Sequence, residues 1–174
     1  MSSSDPARYY RLAFAAAGAF MLSACTVQPL YGPTPTGNTV TAAVSQVAID
    51  QVDTRVAQVL RNKLIFDLDG GKEPTTALYR MKLTVSSAES ALGVTPIEAA
   101  PAYSLTVQAT YELTSVATGA IILRGTSRGT ASFDRITQGY ANARARLDAE
   151  DRAANEAADD IRIRLATAAA KGTI

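Results

Sequence analysis

The chain has 174 residues, 17 of them basic and 16 acidic, with no histidine, no tryptophan and a single cysteine. Histidine is the commonest general base and the commonest metal ligand, so its absence excludes a Ser-His-Asp triad, a Cys-His dyad and a His-based zinc site. One thiol excludes an intramolecular disulfide, and the expectation is a non-enzymatic protein that needs no cofactor and no metal.

The N-terminus carries Arg8 and Arg11, then an apolar run from Leu12 to Leu22, then Ser23-Ala24. A charged region, a short apolar region and a small-residue cleavage position are the parts of an export signal. The run is about half the roughly 20 residues a transmembrane helix needs. The residue after the cleavage position is Cys25, and Leu22-Ser23-Ala24-Cys25 resembles the bacterial lipoprotein signal. That resemblance implies cleavage before Cys25, lipidation of its sulfur and acylation of the new amino terminus. The alternatives are a secreted protein with a free terminal thiol, or a core cysteine if the first residues belong to the fold. Each buried CH₂ contributes roughly 0.8 kcal/mol, so several acyl chains on one residue anchor stably where one would not. Thr26 follows the cysteine. An Asp there favours inner-membrane retention in enterobacteria, so Thr26 leans toward the outer membrane.

Residues 1–24 hold two of the basic residues and one of the acidic ones, so the remainder is neutral. It is about 150 residues long, one domain by size and large enough for a core without disulfides. Neutrality removes any global attraction to nucleic acid.

Residues 25–42 are rich in Pro, Gly, Thr and Asn and read as an extended tether between the lipid and the domain. Val44, Val47 and Ile49 suggest a short first strand. Asp53 is placed to cap a helix whose apolar stripe is Val56, Val59, Leu60, Leu64 and Leu68. Asp69-Gly70-Gly71 ends it. The period then changes to two: Tyr79, Met81, Leu83 and Val85 alternate with polar residues, and after Pro101 so do Tyr103, Leu105, Val107, Ala109, Tyr111 and Leu113. Thr118-Gly119 is a turn, and Ile121 to Phe133 reads as a hairpin partner. The small, polar stretch from Arg124 to Thr130 suits either a segment running past the core or a contact surface.

From Gly139 to about Lys171 an alanine-rich helix is expected. Arg144–Asp148, Arg146–Glu150, Asp148–Arg152 and Asp160–Arg164 are spaced as i,i+4 pairs on its exposed face. Asp148, Glu150 and Asp151 therefore read as a solvated, paired face rather than a metal site. Asp67 to Gly71 lacks the later ligands of a calcium loop and reads as a helix end. The expected domain covers residues 43–170, with 171–174 as a tail. Its order, β-α-β-β-β-α, makes an α+β two-layer sandwich, two helices packed on a mostly antiparallel four-stranded sheet.

Cys25-Thr26-Val27-Gln28-Pro29-Leu30-Tyr31-Gly32 resembles the start of the lipopolysaccharide-assembly lipoprotein family LptE, in its alphaproteobacterial form. Arg55 to Asn62, Ala131-Ser132-Phe133-Asp134, Tyr140-Ala141-Asn142-Ala143 and Asp148-Ala149 are similar to the same family, whose strand order also agrees. Thr26 and Val27 depart from the Gly and Phe usual after the cysteine. The resemblance implies a lipoprotein on the periplasmic face of the outer membrane. It would plug the β-barrel LptD and help it assemble, and the pair would place lipopolysaccharide in the outer leaflet. Arg124 and Arg128 are candidate partners for lipopolysaccharide phosphates. The competing expectation is an auxiliary lipoprotein of an ABC-type lipid transporter.

Overall fold

The computed structural model describes residues 39–93 and 102–174. The expected signal, Cys25 and the tether up to residue 38 lie outside the described residues. The elements run α1 (Val40–Val44), β1 (Val47–Ile49), α2 (Arg55–Asp69), β2 (Tyr79–Leu92), β3 (Ala102–Ser115), β4 (Ile121–Asp134) and α3 (Gly139–Ala170). The sheet order is β1-β2-β3-β4. β1 is parallel to β2 and the other pairs are antiparallel. The fold is the expected α+β sandwich with one helix more.

That extra helix, α1, takes residues 40–42 from the end of the expected tether. Thr39 Oγ1 accepts the Ala42 N–H at 3.2 Å, and Val40 and Val44 are buried. Val44 thus belongs to α1, and the first strand starts at Val47. At the other end, Ile174 turns back onto the core.

α2 is capped by Thr54 rather than Asp53: the Thr54 hydroxyl accepts the Ala57 N–H at 3.3 Å. The two residues are adjacent and both good caps, so composition could not separate them. The helix ends on Gly70 at φ 62°, a left-handed conformation that glycine adopts without a Cβ clash. Leu60 and Leu64 are fully buried, each contributing about 1.5–3 kcal/mol of apolar transfer.

Alternation in the strands puts Met81, Leu83, Leu105, Val107, Ala109, Tyr111 and Leu113 inward, under the helices. The stretch from Arg124 to Thr130 is split by the pleat. Gly125, Ser127 and Gly129 face α3, while Arg124, Thr126, Arg128 and Thr130 face away. Ser127 is buried and its hydroxyl donates to the Ala157 carbonyl at 2.9 Å. α3 seats on this strand through Ala149, Ala153, Ala154, Ala157 and Ala158, all fully buried. Small residues on both elements let the two backbones approach closely.

Two of the four expected i,i+4 pairs form on α3, Asp148–Arg152 and Asp160–Arg164, each at 2.9 Å. Arg146 instead reaches Glu89 of β2, and Glu150 reaches Arg55 of α2. Glu150 is therefore not on a solvated face. It is buried between α2, α3 and Ser87 of β2, because the helix interface offers it a guanidinium that its own helix does not.

Candidate functional site

The three described helices pack on one side of the sheet, and among the described residues nothing covers the other side of β2, β3 and β4. Register lines its side chains up in rows: Lys82–Glu112–Arg124, Thr84–Thr110–Thr126, Ser86–Gln108–Arg128, Ala88–Thr106–Thr130 and Ser90–Ser104–Ser132. Hydroxyls dominate, and no large apolar side chain interrupts these rows. Thr110 and Thr126 bring their hydroxyls within 3.4 Å, as do Thr106 and Thr130. These contacts link the neighbouring strands across a polar face.

Arg124 and Arg128 both stand on this face, where the alternation of β4 puts them. Four residues apart on a strand, their Cα atoms are about 13 Å from each other, too far to clamp one small anion. Arg128 Nε donates to Gln108 Oε1 at 3.0 Å, which orients its guanidinium across the sheet. Arg124 is exposed and lies opposite Glu112, with no ion pair among the described residues. Arg80 and Lys82 of β2 add two cations that composition alone did not single out. Only the register brings them onto one surface with Arg124 and Arg128. Arg80 contacts Asp50 at 3.4 Å. The surface thus offers spaced cations set in a hydroxyl field, suited to an extended ligand with separated anionic groups.

A cleft of about 360 Å³ opens at the side of the sheet, between the β1–α2 loop (Asp50–Thr54), Ala57 and Lys82–Val85 of β2. Among the described residues no three acidic or cysteine side chains converge as a metal site. No described helix is long and apolar enough to cross a membrane. Tyr111, on the covered side, has its phenol pushed above the ordinary value by burial, with Arg164 acting in the opposite sense.

The fold is a helix-backed α+β sheet with one polar, cation-bearing face. The model of the lipopolysaccharide-assembly family LptE matches residues 39–165, and the chain belongs to that family. Its role is therefore in lipopolysaccharide assembly. No curated protein matches the chain. Among solved structures it is similar to a candidate lipoprotein from Caulobacter crescentus CB15, with 25% identity over 75% of this chain and 96% of that one, at a TM-score of 0.64. Rare lipoprotein B from Shewanella oneidensis shares the fold at 16% identity, covering 70% of this chain and 92% of that one, TM-score 0.52. So does a minor lipoprotein from Acinetobacter baumannii, at 12% identity, 70% and 88% coverage and TM-score 0.50.

Proposed function

We propose that this protein is an outer-membrane lipoprotein, anchored on the periplasmic side through acyl chains on Cys25. In this reading the LptD-type β-barrel is its partner, and it serves that barrel as plug and assembly aid while lipopolysaccharide passes to the outer leaflet. The observation that carries the reading is the bare sheet face. A barrel lumen is wet and polar, and a surface of threonine and serine hydroxyls suits contact with such a wall. Arg124 and Arg128 supply charge-assisted donors for lipopolysaccharide phosphates, spaced for two groups on one large ligand.

Purification of the tagged chain from outer-membrane extract tests the reading. A large outer-membrane barrel in the eluate supports it. An inner-membrane permease with an ATPase points instead to an auxiliary subunit of an ABC-type lipid transporter. Depletion gives a second readout: normal surface lipopolysaccharide in depleted cells is incompatible with the proposed role.

A further inference from the structure

Four large apolar side chains stand exposed at one end of the sandwich, where β2 and β4 start and β3 stops. They are Phe66, Leu78, Val116 and Ile121, between 44% and 65% exposed. The Val116 N–H donates to the Leu78 carbonyl at 2.9 Å, which sets those two side by side. Ile121 opens β4, in register with Thr114. Phe66 is in the last turn of α2, where its ring lies beside Gly71. The β3–β4 turn, Val116 to Ala120, carries no charge, so it can enter an apolar phase without stripping water from an ion. In the α2–β2 turn Glu73 is paired with Arg61. Exposed apolar patches mark contact with a protein or a membrane.

The point where the chain enters the domain decides between these. Val47 pairs with Tyr79, the first residue of β2. α1 lies just before it, and its five residues span only about 8 Å. Thr39 therefore lies near this same end. Residues 25–38, fourteen in number, connect it to Cys25. A chain of that length reaches about 46–50 Å at full stretch and averages about 20 Å as a coil. β2 has fourteen residues, so the sheet is about 46 Å from end to end. An acyl anchor on Cys25 thus brings the Phe66–Val116 end to the bilayer easily. The far end would touch it only with those fourteen residues drawn taut.

The far end also differs in kind. Leu92, Ile136 and Tyr140 are exposed there, but they stand among charges. Arg146 reaches Glu89 at 2.9 Å, and Arg135 donates to the Tyr103 hydroxyl at 2.8 Å. Seating that end in lipid would desolvate these groups. Ile163, also exposed, lies about two turns back from the end of α3.

We infer that the anchored chain rests end-on against its own membrane. The Leu78–Val116–Ile121 tip and Phe66 sit in the headgroup region of the leaflet that holds the acyl chains, so the partner of this patch is a phospholipid surface. Interfacial helices bury their apolar faces about 5–10 Å into that boundary, a depth that side chains at a turn can reach. The inference rests on the proposed Cys25 anchor and concerns the chain before it engages a barrel.

The chain has no tryptophan, so a single introduced one reports its own depth. Phe66→Trp, Val116→Trp, Tyr140→Trp and Ser86→Trp are purified as full mature lipoproteins. Each is placed in vesicles of phosphatidylethanolamine and phosphatidylglycerol brominated near the headgroup. All four positions are exposed, so the fold should tolerate the changes. Bromine should quench the first two at least about twofold more than Tyr140→Trp at the far end and Ser86→Trp in mid-sheet, because only side chains seated in the boundary meet the label. Leu78→Asp/Val116→Asp in the Phe66→Trp chain should remove most of that quenching, since a carboxylate opposes insertion. Intact mass and flotation report the anchor. An acylated, floating chain whose Phe66→Trp and Val116→Trp signals match Tyr140→Trp overturns the docking and leaves the anchor standing. Stronger quenching of Ser86→Trp does the same, since the domain then lies flat on its sheet. If lipid leaves Val116→Trp unquenched and added barrel shifts its emission to the blue, the tip is a protein contact and the docking is wrong. A chain with no acyl groups that stays off the vesicles overturns the anchor and the docking together.

Discussion

Gly129 of β4 lies directly against the Ala153 carbonyl of α3. A Cβ at Gly129 would overlap that carbonyl oxygen and stand 2.8 Å from the Ala157 nitrogen. The obstacle is backbone on a long helix, which cannot rotate out of the way like a side chain. Gly129→Ala should therefore push α3 off the sheet locally and cost about 1–3 kcal/mol, the range for overpacked cores. A urea melt that places the variant's midpoint level with wild type would contradict this packing. Gly125→Ala is the comparison. Its Cβ would stand 2.6 Å from the Tyr111 hydroxyl oxygen and 2.9 Å from a ring carbon, a side chain rather than helix backbone, so its cost should be smaller.

This contact also shows where reading the sequence stopped. The alternation of Tyr103 to Leu113 and the stripe from Val56 to Leu68 were legible because each follows one period and buries one face. The run from Arg124 to Thr130 carries glycines and a serine on its covered side, so its alternation has almost no hydrophobic contrast. Only the closeness of α3 explains why small residues are buried there. Likewise Arg124 and Arg128 were visible as exposed cations, but their grouping with Lys82 depends on strand register. Local patterns specify strands much better than they specify which rows meet.

The contact between Arg55 and Glu150, 2.7 Å long, is unequal in its surroundings. The Glu150 side chain is 10% exposed and the Arg55 side chain 45%. The Glu150 hydrogen bond raises the Arg55 pKa, outweighing the effect of burial, and Asp151 adds to it. Removing the arginine strands a nearly buried carboxylate with only a 3.4 Å contact from Ser87. Removing the glutamate leaves a half-exposed guanidinium that keeps Asp151 at 2.8 Å and water. Arg55→Ala should thus destabilise more than Glu150→Ala, by about 1–2 kcal/mol in the difference. Equal losses in chemical denaturation would refute the asymmetry.

Tyr111 gives a pH dependence. Burial raises its pKa above 10.0 in the folded chain, so the folded state holds the phenolic proton more tightly than the unfolded state. No stability difference arises from this group below the unfolded value. As pH climbs past about 10 the unfolded state loses the proton first, and stability falls until the folded phenol also ionises. Tyr111→Phe removes that titration. Its stability curve should decline less than wild type above pH 10, as measured by denaturation at matched ionic strength.

Arg124→Ala/Arg128→Ala should barely touch the fold, because both side chains are on the bare face and support no core contact. A change within about 0.5 kcal/mol is expected for such surface positions. Binding of the purified domain to lipopolysaccharide should weaken several-fold, and the difference from wild type should shrink as salt rises. A lipopolysaccharide stripped of lipid A phosphates provides the discriminating ligand. If the variant loses as much affinity for it as for the intact molecule, the arginines do not act through phosphate.

Cys25→Ser separates attachment from assembly. Several buried acyl chains hold a protein to a bilayer where a single one does so only marginally. Without the sulfur, no thioether can form and the chain is not processed as a lipoprotein. The variant should leave the washed outer-membrane fraction and reach the soluble periplasmic fraction only if the signal is still cut. Among the described residues the domain's core is built from Val40 onward. Its melting midpoint as a purified domain should therefore match wild type. A variant that stays with the membrane through high-salt and alkaline washes, still uncut, would mean the apolar run from Leu12 to Leu22 is the anchor. One that stays after cleavage would mean the barrel contact alone retains it. Fractionation combined with intact mass, which reports both the cut and the acyl chains, distinguishes these outcomes in one preparation.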